Sequence, residues 1–187
     1  MTPTSALPAD DDSVARLDRL AGIARQLLDR CRERGASQAE VSCSEEHGLN
    51  VNVRMGNVET VESTRDRGLA VTVYFGQRKG SASTADLREE SLDATVEQAC
   101  AIARHTEDDS AAGLADAELM AQLPATGQFP EFDAWHPWML EPDRAIDIAL
   151  ACETAGRDSD RRIENSDGAS VGTSSSLSVY ANSHGFV

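Results

Sequence analysis

The feature that most constrains the fold is a long stretch, residues 49–87, in which alternating segments are separated by glycine-containing turns. Its first segment alternates apolar with polar residues, namely Leu49, Val51, Val53 and Met55 with Asn50, Asn52 and Arg54. A later segment repeats the pattern with Leu69, Val71, Val73 and Phe75. A period of two is typical of strands that bury one face. The stretch therefore predicts several β-strands that share one apolar face.

Glycines mark the places where this stretch reverses direction. Gly56-Asn57 predicts a tight hairpin turn, because both residue types tolerate positive φ. Residues 76–80 are predicted to form a second turn, and residues 81–84 a last short strand. Upstream, alternation over 39–43 predicts one more strand, followed by a turn at 46–48. The central part of the chain is therefore predicted to form an antiparallel meander.

Amphipathic helices on both sides supply a cover for the apolar face. The upstream helix has Ser13 as its N-cap, ends near Gly35 and carries the stripe Leu17, Leu20, Ala21, Ala24, Leu27, Leu28 and Cys31. Downstream, Asp86 and Glu89 resemble a capping box before a helix with the stripe Leu92, Val96, Ala99 and Ala103. Helices packed on one face of an antiparallel or mixed sheet define the α+β class.

The last third of the chain has a different composition. Residues 122–142 contain four of the six prolines and both tryptophans, which predicts a long ordered crossing loop. Pro142 opens a third helix with the inner stripe Ala145, Ile148, Ala149 and Cys152. Two further strands are predicted, over 162–166 and 177–181.

The domain organisation follows from these elements. We expect Met1 to Asp12 to form a disordered tail and residues 13–187 to form one α+β domain, cut at its C-terminal end within a β region. The strand over 177–181 would then have its next partner beyond Val187, or pair with another chain.

Charge and targeting signals limit the partners. Seventeen basic and 32 acidic residues give a net charge of −15, which argues against direct nucleic-acid binding. The N-terminus has neither a basic start nor an apolar run, so it predicts no signal peptide and no membrane span. We therefore expect a cytoplasmic protein without membrane contact.

No residue pattern predicts catalysis or metal binding. The cysteines, Cys31, Cys43, Cys100 and Cys152, are widely spaced and favour buried apolar positions over a metal or redox site. The chain lacks an H-E-x-x-H motif, a phosphate-binding loop and a G-x-S-x-G elbow. Structural or solvated roles are favoured for His47, His105 and His136.

Two polar groups remain as candidate contacts. Asn182, Ser183 and His184 precede a glycine at a strand end, although a turn whose side chains bond backbone is favoured over a binding site. Arg78 and Lys79 lie at a hairpin tip of a very acidic chain, and we expect them to contact a partner or a peptide.

Several segments occur in a fixed order that resembles a known family. They are V-x-V-R-x-G-x-V-E-x-V-E from Val51, G-L-A-V-T-V-Y from Gly68, R-K-G-S-A-S-T-x-D-L from Arg78, T-V-E-Q-A-x-x-I-A-R from Thr95, D-x-R-I-x-N-S-D-G from Asp160 and N-S-H-G from Asn182. From about Leu17 to Val187 the chain resembles the amino-terminal domain of the PmbA/TldD family. The R-K-G-S-A-S and N-S-H-G segments favour the PmbA branch, which is also called TldE.

The resemblance implies a function that the residues alone do not indicate. It implies a cytosolic protease of two homologous subunits that processes small unfolded peptides, with zinc held by the TldD-type subunit beyond its amino-terminal domain. No catalytic or metal position of the family falls within residues 1–187, so no cofactor is expected in this chain. A homo-oligomer is also compatible. The alternative is a non-hydrolytic peptide- or protein-binding regulatory module, since the family is also described as modulating DNA gyrase.

Overall fold

The structure is a computed structural model that describes residues 10–116, 118–120, 134–136 and 138–187. Its elements are α1 (Asp10–Glu33), β1 (Gln38–Arg54), β2 (Asn57–Phe75), β3 (Arg78–Thr84), α2 (Glu89–His105), α3 (Pro142–Asp158) and β4 (Ala169–Asn182). The four strands form one antiparallel sheet in the order β3-β2-β1-β4. The predicted α+β class and the β1–β2–β3 meander are confirmed.

The chain divides into two compact units, of which the first comprises Met1–Glu45, Arg67–Ala134 and Leu177–Val187. Its core joins the stripes of α1 and α2 to one face of the sheet, through Leu20, Ala24, Leu27, Cys31, Val41, Cys43, Leu69, Val71, Val73, Leu92, Val96, Ala99 and Ala103. Gly80 of β3 faces α2 so closely that an added Cβ would lie 2.9 Å from the Cα of Ala103. The predicted inner faces of both helices are therefore correct.

The ends of these two helices differ in part from the prediction. Gly35 adopts a φ of +86° and the N–H of Ala36 bonds the carbonyl of Cys31 at 3.1 Å, which is the expected glycine C-terminal cap. The helix α1 begins at Asp10, so Ser13 is an internal residue and not its N-cap. The last three residues of the expected tail are thus helical, and residues 1–9 lie outside the described part of the chain.

The capping box predicted before α2 is wrong. The N-cap is Arg88, which forms no side-chain cap bond. Asp86 lies two residues earlier, and its Oδ1 accepts the N–H of Arg88 at 3.0 Å while its Oδ2 accepts the hydroxyl of Ser91 at 2.7 Å. The aspartate therefore fixes the approach to the helix instead of capping it.

The second unit comprises Glu46–Asp66 and Trp135–Ser176. Its core packs Val51 and Val53 of β1 against Ala145 and Ala149 of α3, which begins at Pro142 as predicted. Cys152, predicted to face inward, is exposed, and Glu153 takes the buried position instead.

One predicted turn and one predicted strand are absent from the sheet as described. β1 continues through the turn predicted at 46–48. Gly48 lies within this strand, and a Cβ added there would be 3.5 Å from the carbonyl oxygen of Thr173, an ordinary contact. Residues 162–166 form no strand, and a single strand, β4, follows. Most of the crossing loop predicted over 122–142 lies outside the described residues. Within the described ranges, no helix combines the length and apolar character needed to cross a membrane.

Candidate functional site

The polar segment at the end of β4 forms a turn held by its own side chains. Asn182 is buried, and its Oδ1 accepts the N–H of His184 at 3.0 Å and the N–H of Phe186 at 3.4 Å. The Oγ of Ser183 accepts the N–H of Ala39 at 3.1 Å. The interpretation as a turn with side chain–backbone bonds is therefore confirmed. The side chains of Asn182 and Ser183 form hydrogen bonds that stabilise the turn.

His184 remains at the surface of this turn, beside a side chain that sequence reasoning missed. Its Nε2 lies 3.5 Å from the Nε2 of Gln38, the first residue of β1. The Oε1 of Gln38 accepts the backbone N–H of Leu114 at 2.9 Å, which ties the acidic connector after α2 to the sheet. Gln38 thus links the connector to the imidazole.

A polar cleft of about 510 Å³ opens next to Gln38. It is lined by the strand ends at Ser37 and Gly76 and by the connector, residues 110–114 together with Asp116. The connector is ordered by Asp109, whose Oδ1 accepts the N–H of Ala111 at 2.9 Å. Backbone groups and short polar side chains line most of this cleft, so it suits hydrogen bonding.

A row of side chains crosses the face of the sheet opposite the helices, which we call the tyrosine row: Lys79, Tyr74, Glu40 and Tyr180. Glu40 lies at its centre, and its two oxygens accept the hydroxyls of Tyr74 and Tyr180, each at 2.9 Å. The ammonium of Lys79 lies 6.0 Å from the ring centroid of Tyr74, its direct partner across β2 and β3. The row has one residue on each of the four strands. Its last member, Tyr180, precedes Asn182 in β4 by two positions in the sequence.

The environment of the tyrosine row shifts its acid–base equilibria. Burial, and then the bond to the Glu40 carboxylate, raises the pKa of Tyr74 to about 12. Burial also raises the pKa of Tyr180. Both phenols stay protonated and act as hydrogen-bond donors at neutral pH.

The two basic residues predicted to contact a ligand, Arg78 and Lys79, have different surroundings in the structure. They are the first residues of β3, next to the hairpin tip at Gly76 and Gln77. Arg78 donates to the carbonyl of Arg104 at 3.2 Å and lies 3.8 Å from Asp108, so it contacts the end of α2 and the connector. Lys79 is exposed and belongs to the tyrosine row.

Groups with catalytic potential are dispersed in the described structure. No three His, Cys, Asp or Glu side chains of the described residues converge to hold a metal ion. Burial raises the pKa of Cys31 to about 12 and that of Cys43 to about 11, so both are inert thiols. The described residues of this region supply hydrogen-bonding groups, aromatic rings and charge.

Gln38, Glu40, Tyr74 and Tyr180 were not predicted as site residues. The signal was present for three of them, because Tyr74, Glu40 and Tyr180 are polar residues at the alternate positions of strands whose other positions are apolar. Gln38 carried no signal, since its partners lie 76 and 146 residues away.

Comparison with known proteins assigns the chain to a family. The PmbA/TldA metallopeptidase domain 1 matches residues 39–103, and the PmbA/TldA metallopeptidase central domain matches residues 135–187. The chain belongs to the PmbA/TldD family of metallopeptidases, as its motifs indicated.

Individual relatives point to the PmbA branch. The chain is 42% identical over 153 residues to a metalloprotease PmbA homolog of Haemophilus influenzae, and 42% identical over 149 residues to metalloprotease PmbA of Escherichia coli O157:H7. These alignments cover 82% and 80% of this chain but 33% and 32% of the relatives, so the chain spans about a third of their length.

Solved structures share the fold. A protein of Bacteroides thetaiotaomicron, named for modulation of DNA gyrase, superimposes with a TM-score of 0.73 over 90% of this chain and 38% of its own, at 23% identity. TldE of Thermococcus kodakarensis superimposes with a TM-score of 0.68 over 87% of this chain and 35% of its own, at 16% identity.

Proposed function

We propose that this chain is the amino-terminal part of a PmbA/TldE-type subunit that contributes recognition, not catalysis, to a cytoplasmic metalloprotease complex. Its partner is a TldD-type homologous subunit that holds the zinc ion, and the substrates are small unfolded peptides. Family membership and the identity to PmbA relatives support the class of protein. The recognition role is our inference from the site.

The observation that carries the recognition role is the tyrosine row. Its central carboxylate and two phenol hydroxyls are preorganised by bonds of 2.9 Å, which lowers the entropy lost when a ligand binds. Tyr74 is buried and holds Glu40 in place, whereas Tyr180 and Lys79 are exposed. An exposed aromatic ring beside hydrogen-bonding groups on a sheet face suits an extended peptide of variable sequence, because it contacts main chain and side chains alike. This surface has Lys79 at one end and His184 at the other.

In this proposal the predicted contact residues have separate tasks. Lys79 and Arg78 provide positive charge at the β3 end, where an acidic segment of a peptide or of the partner subunit is attracted. Asn182 and Ser183 hold the turn, and His184 presents its imidazole from it. Of the five contact residues predicted from the sequence, Lys79, Arg78 and His184 are therefore the ones whose side chains can meet a ligand.

The test combines the 187-residue chain with a TldD-type homologue that carries an H-E-x-x-x-H motif. We expect co-elution of the two proteins, zinc in the complex but no stoichiometric zinc in this chain alone, and cleavage of an unfolded peptide. About one tightly held zinc ion per isolated chain would contradict the proposal.

Two variants test the contact residues. The double variant Lys79→Glu with Arg78→Gln should weaken complex formation or peptide binding. Its melting temperature should change by only a few degrees, because the folded chain loses one exposed hydrogen bond, that from Arg78 to the carbonyl of Arg104. The matched control is Arg144→Glu with Arg161→Gln, which changes the charge equally at exposed positions of the second unit. A large loss of stability in the first pair would show that it is structural.

The alternative, a non-hydrolytic regulatory module, predicts a different outcome. The Bacteroides structure named for gyrase modulation motivates it. In that case the chain would bind a peptide or protein through the tyrosine row, but addition of a TldD-type homologue would produce neither a complex nor cleavage.

A further inference from the structure

The side-chain amide of Gln38 bridges two segments that are far apart in the sequence, and one of its partners fixes its orientation. The backbone N–H of Leu114 in the acidic connector can only donate, and it lies 2.9 Å from Oε1 of Gln38. The amide oxygen therefore faces Leu114, and the amide nitrogen faces the imidazole of His184, whose Nε2 is 3.5 Å away. Because the amide nitrogen is also a pure donor, Nε2 of His184 accepts this bond, and the imidazole is neutral with its proton on Nδ1.

The backbone on both sides of this contact is fixed. Gln38 is followed by Ala39, whose carbonyl accepts the N–H of Ser183 at 2.8 Å and whose own N–H is donated to Oγ of Ser183 at 3.1 Å. The N–H of His184 is donated to Oδ1 of the buried Asn182 at 3.0 Å. These bonds keep the imidazole and the amide next to each other.

The bond to Gln38 also holds one wall of the polar cleft, which is formed by the connector. Two backbone N–H groups of the connector are tied to the sheet: that of Asp109 bonds the carbonyl of Gln77 at 2.9 Å, and that of Leu114 bonds Gln38. Gly113 lies against the same amide, since an added Cβ would be 3.3 Å from Oε1 of Gln38. If the Leu114 bond breaks, the part of the wall that follows Asp109 loses this attachment to β1.

A protonated His184 is incompatible with this arrangement. An imidazolium has two N–H donors and no acceptor, so its Nε2–H would face the N–H groups of the Gln38 amide. If the amide turns over, its oxygen accepts from the imidazolium, and such a charge-assisted bond is roughly twice as strong as a neutral one. The amide nitrogen then faces the N–H of Leu114, and that bond is lost. We infer that protonation of His184 turns the amide of Gln38 and releases the cleft wall at Leu114, whether or not the chain binds a peptide.

The charged groups around the cleft leave the amide as the partner of the imidazolium. Among the described residues, no carboxylate lies within 4.0 Å of the His184 ring. In the connector Asp116 lines the cleft and Asp109 accepts the N–H of Ala111, and on β1 the oxygens of Glu40 accept the two tyrosine hydroxyls. Imidazoles ordinarily gain a proton near about pH 6.5 and carboxylates only near about pH 4. A change from about pH 7.5 to about pH 5.5 therefore acts on the imidazole and leaves the carboxylates ionised.

The experiment measures the amide hydrogen exchange of Leu114 by NMR at about pH 7.5 and about pH 5.5, expressed as protection relative to an unstructured amide at the same pH. We expect the protection of Leu114 in the 187-residue chain to fall roughly tenfold at the lower pH, because its bond to Gln38 is lost. The protection of Asp109, whose bond to Gln77 does not involve the imidazole, should stay the same. Thermal melts at both pH values verify that the chain and each variant are folded.

Three variants separate the imidazole from other causes. His184→Gln removes the titrating group and should make the protection of Leu114 independent of pH. Gln38→Glu supplies a carboxylate that accepts bonds from Leu114 and from the imidazolium at the same time, so Leu114 should stay protected at both pH values. The matched control is His105→Gln, at an exposed position in the last turn of α2, which should keep the unsubstituted chain's response. Unchanged Leu114 protection in the unsubstituted chain, an equal loss at Asp109, or a response that persists in His184→Gln or in Gln38→Glu would each overturn the inference.

Discussion

The carboxylate of Glu153 in α3 accepts the backbone N–H of Gly56 at 2.8 Å, so a charged helix residue closes the β1–β2 hairpin. Its other oxygen accepts the N–H of Met55 at 2.6 Å. Met55 adopts a φ of 51°, a conformation that residues with side chains seldom adopt. The ionised carboxylate thus stabilises a turn that is costly for its sequence.

We expect the hairpin to loosen when this carboxylate loses its charge. The bond from Gly56, and then that from Met55, hold the pKa of Glu153 below its usual value of 4.5 against the effect of burial. The stabilisation is therefore complete above pH 4.5 and is lost as the pH falls through the lowered value. Glu153→Gln should speed amide exchange at Met55 and Gly56 by roughly tenfold at neutral pH and remove the acid dependence. Equal exchange in the variant would contradict the clamp.

Glu153 also shows where prediction from the sequence reaches its limit. The period of α3 was visible, and Ala145 and Ala149 were placed correctly, yet Cys152 was chosen as the next inner residue because it is apolar. A buried carboxylate is stable only if donors satisfy it. Its two donors lie 98 and 97 residues away, and a local pattern cannot reveal them.

The strands and helix faces were predictable because alternation and the helical period are local properties. What was missed depends on distant neighbours. Gly48 signalled a turn, but it lies beside Thr173 in a continuous ladder. In the site, the N-S-H-G turn was expected. The role of Gln38 was not, because its partners, His184 in that turn and Leu114 in the acidic connector, lie far along the chain.

A second buried carboxylate, Glu45, should contribute to stability. It is 3% exposed and accepts bonds from Arg16 at 2.9 Å and from Arg19, with Arg67 3.6 Å away. Burial raises its pKa, but the two bonded arginines outweigh this and the pKa is lowered. Its contribution is therefore present at neutral pH and fades as the pH falls below the usual carboxyl range.

We expect Glu45→Gln to lower the free energy of unfolding by about 1–3 kcal/mol, less than for a fully buried pair because Arg19 and Arg67 are half exposed. This corresponds to a melting temperature lower by about 2–10 °C for a chain of this size. Thermal unfolding should show the loss, and Glu97→Gln, at an exposed position of α2, should show none. If the melting temperature of Glu45→Gln equalled that of the unsubstituted protein, the ion pairs of Glu45 would contribute no net stability.

Gly80 should be intolerant of any side chain. An added Cβ would overlap the backbone of α2 at Ala99 and Ala103, whose Cα would be 2.9 Å away. Backbone atoms cannot yield as a flexible side chain does, so Gly80→Ala should cost about 3 kcal/mol, the upper range for overpacked cores. The control is Gly22→Ala in α1, where nothing lies within 4 Å, and which should stabilise the helix by about 1 kcal/mol. Denaturant unfolding distinguishes the two.

The cysteines should differ sharply in reactivity. Burial raises the pKa of Cys31 to about 12 and that of Cys43 to about 11, and it also raises that of Cys100. Cys152 is exposed on α3. Because only the thiolate is alkylated, iodoacetamide under native conditions should label Cys152 first, followed by the others only on unfolding. Peptide mass spectrometry gives the order, and early labelling of Cys31 would show that the first core opens readily.

The tyrosine row should be visible in the ultraviolet titration of the phenols. Burial and then the Glu40 carboxylate raise the pKa of Tyr74 to about 12, from the usual value of 10.0. A raised pKa of an acid means that the protonated phenol stabilises the fold below pH 10 and that this stabilisation is lost as the pH rises through about 12. Glu40→Gln removes the adjacent negative charge and should shift the Tyr74 transition towards lower pH, although burial keeps it above the usual value. Tyr74→Phe should eliminate the transition and identifies it. If Glu40→Gln left the titration unchanged, the carboxylate would not be the centre of the row, and the recognition surface proposed from it would lose its main support.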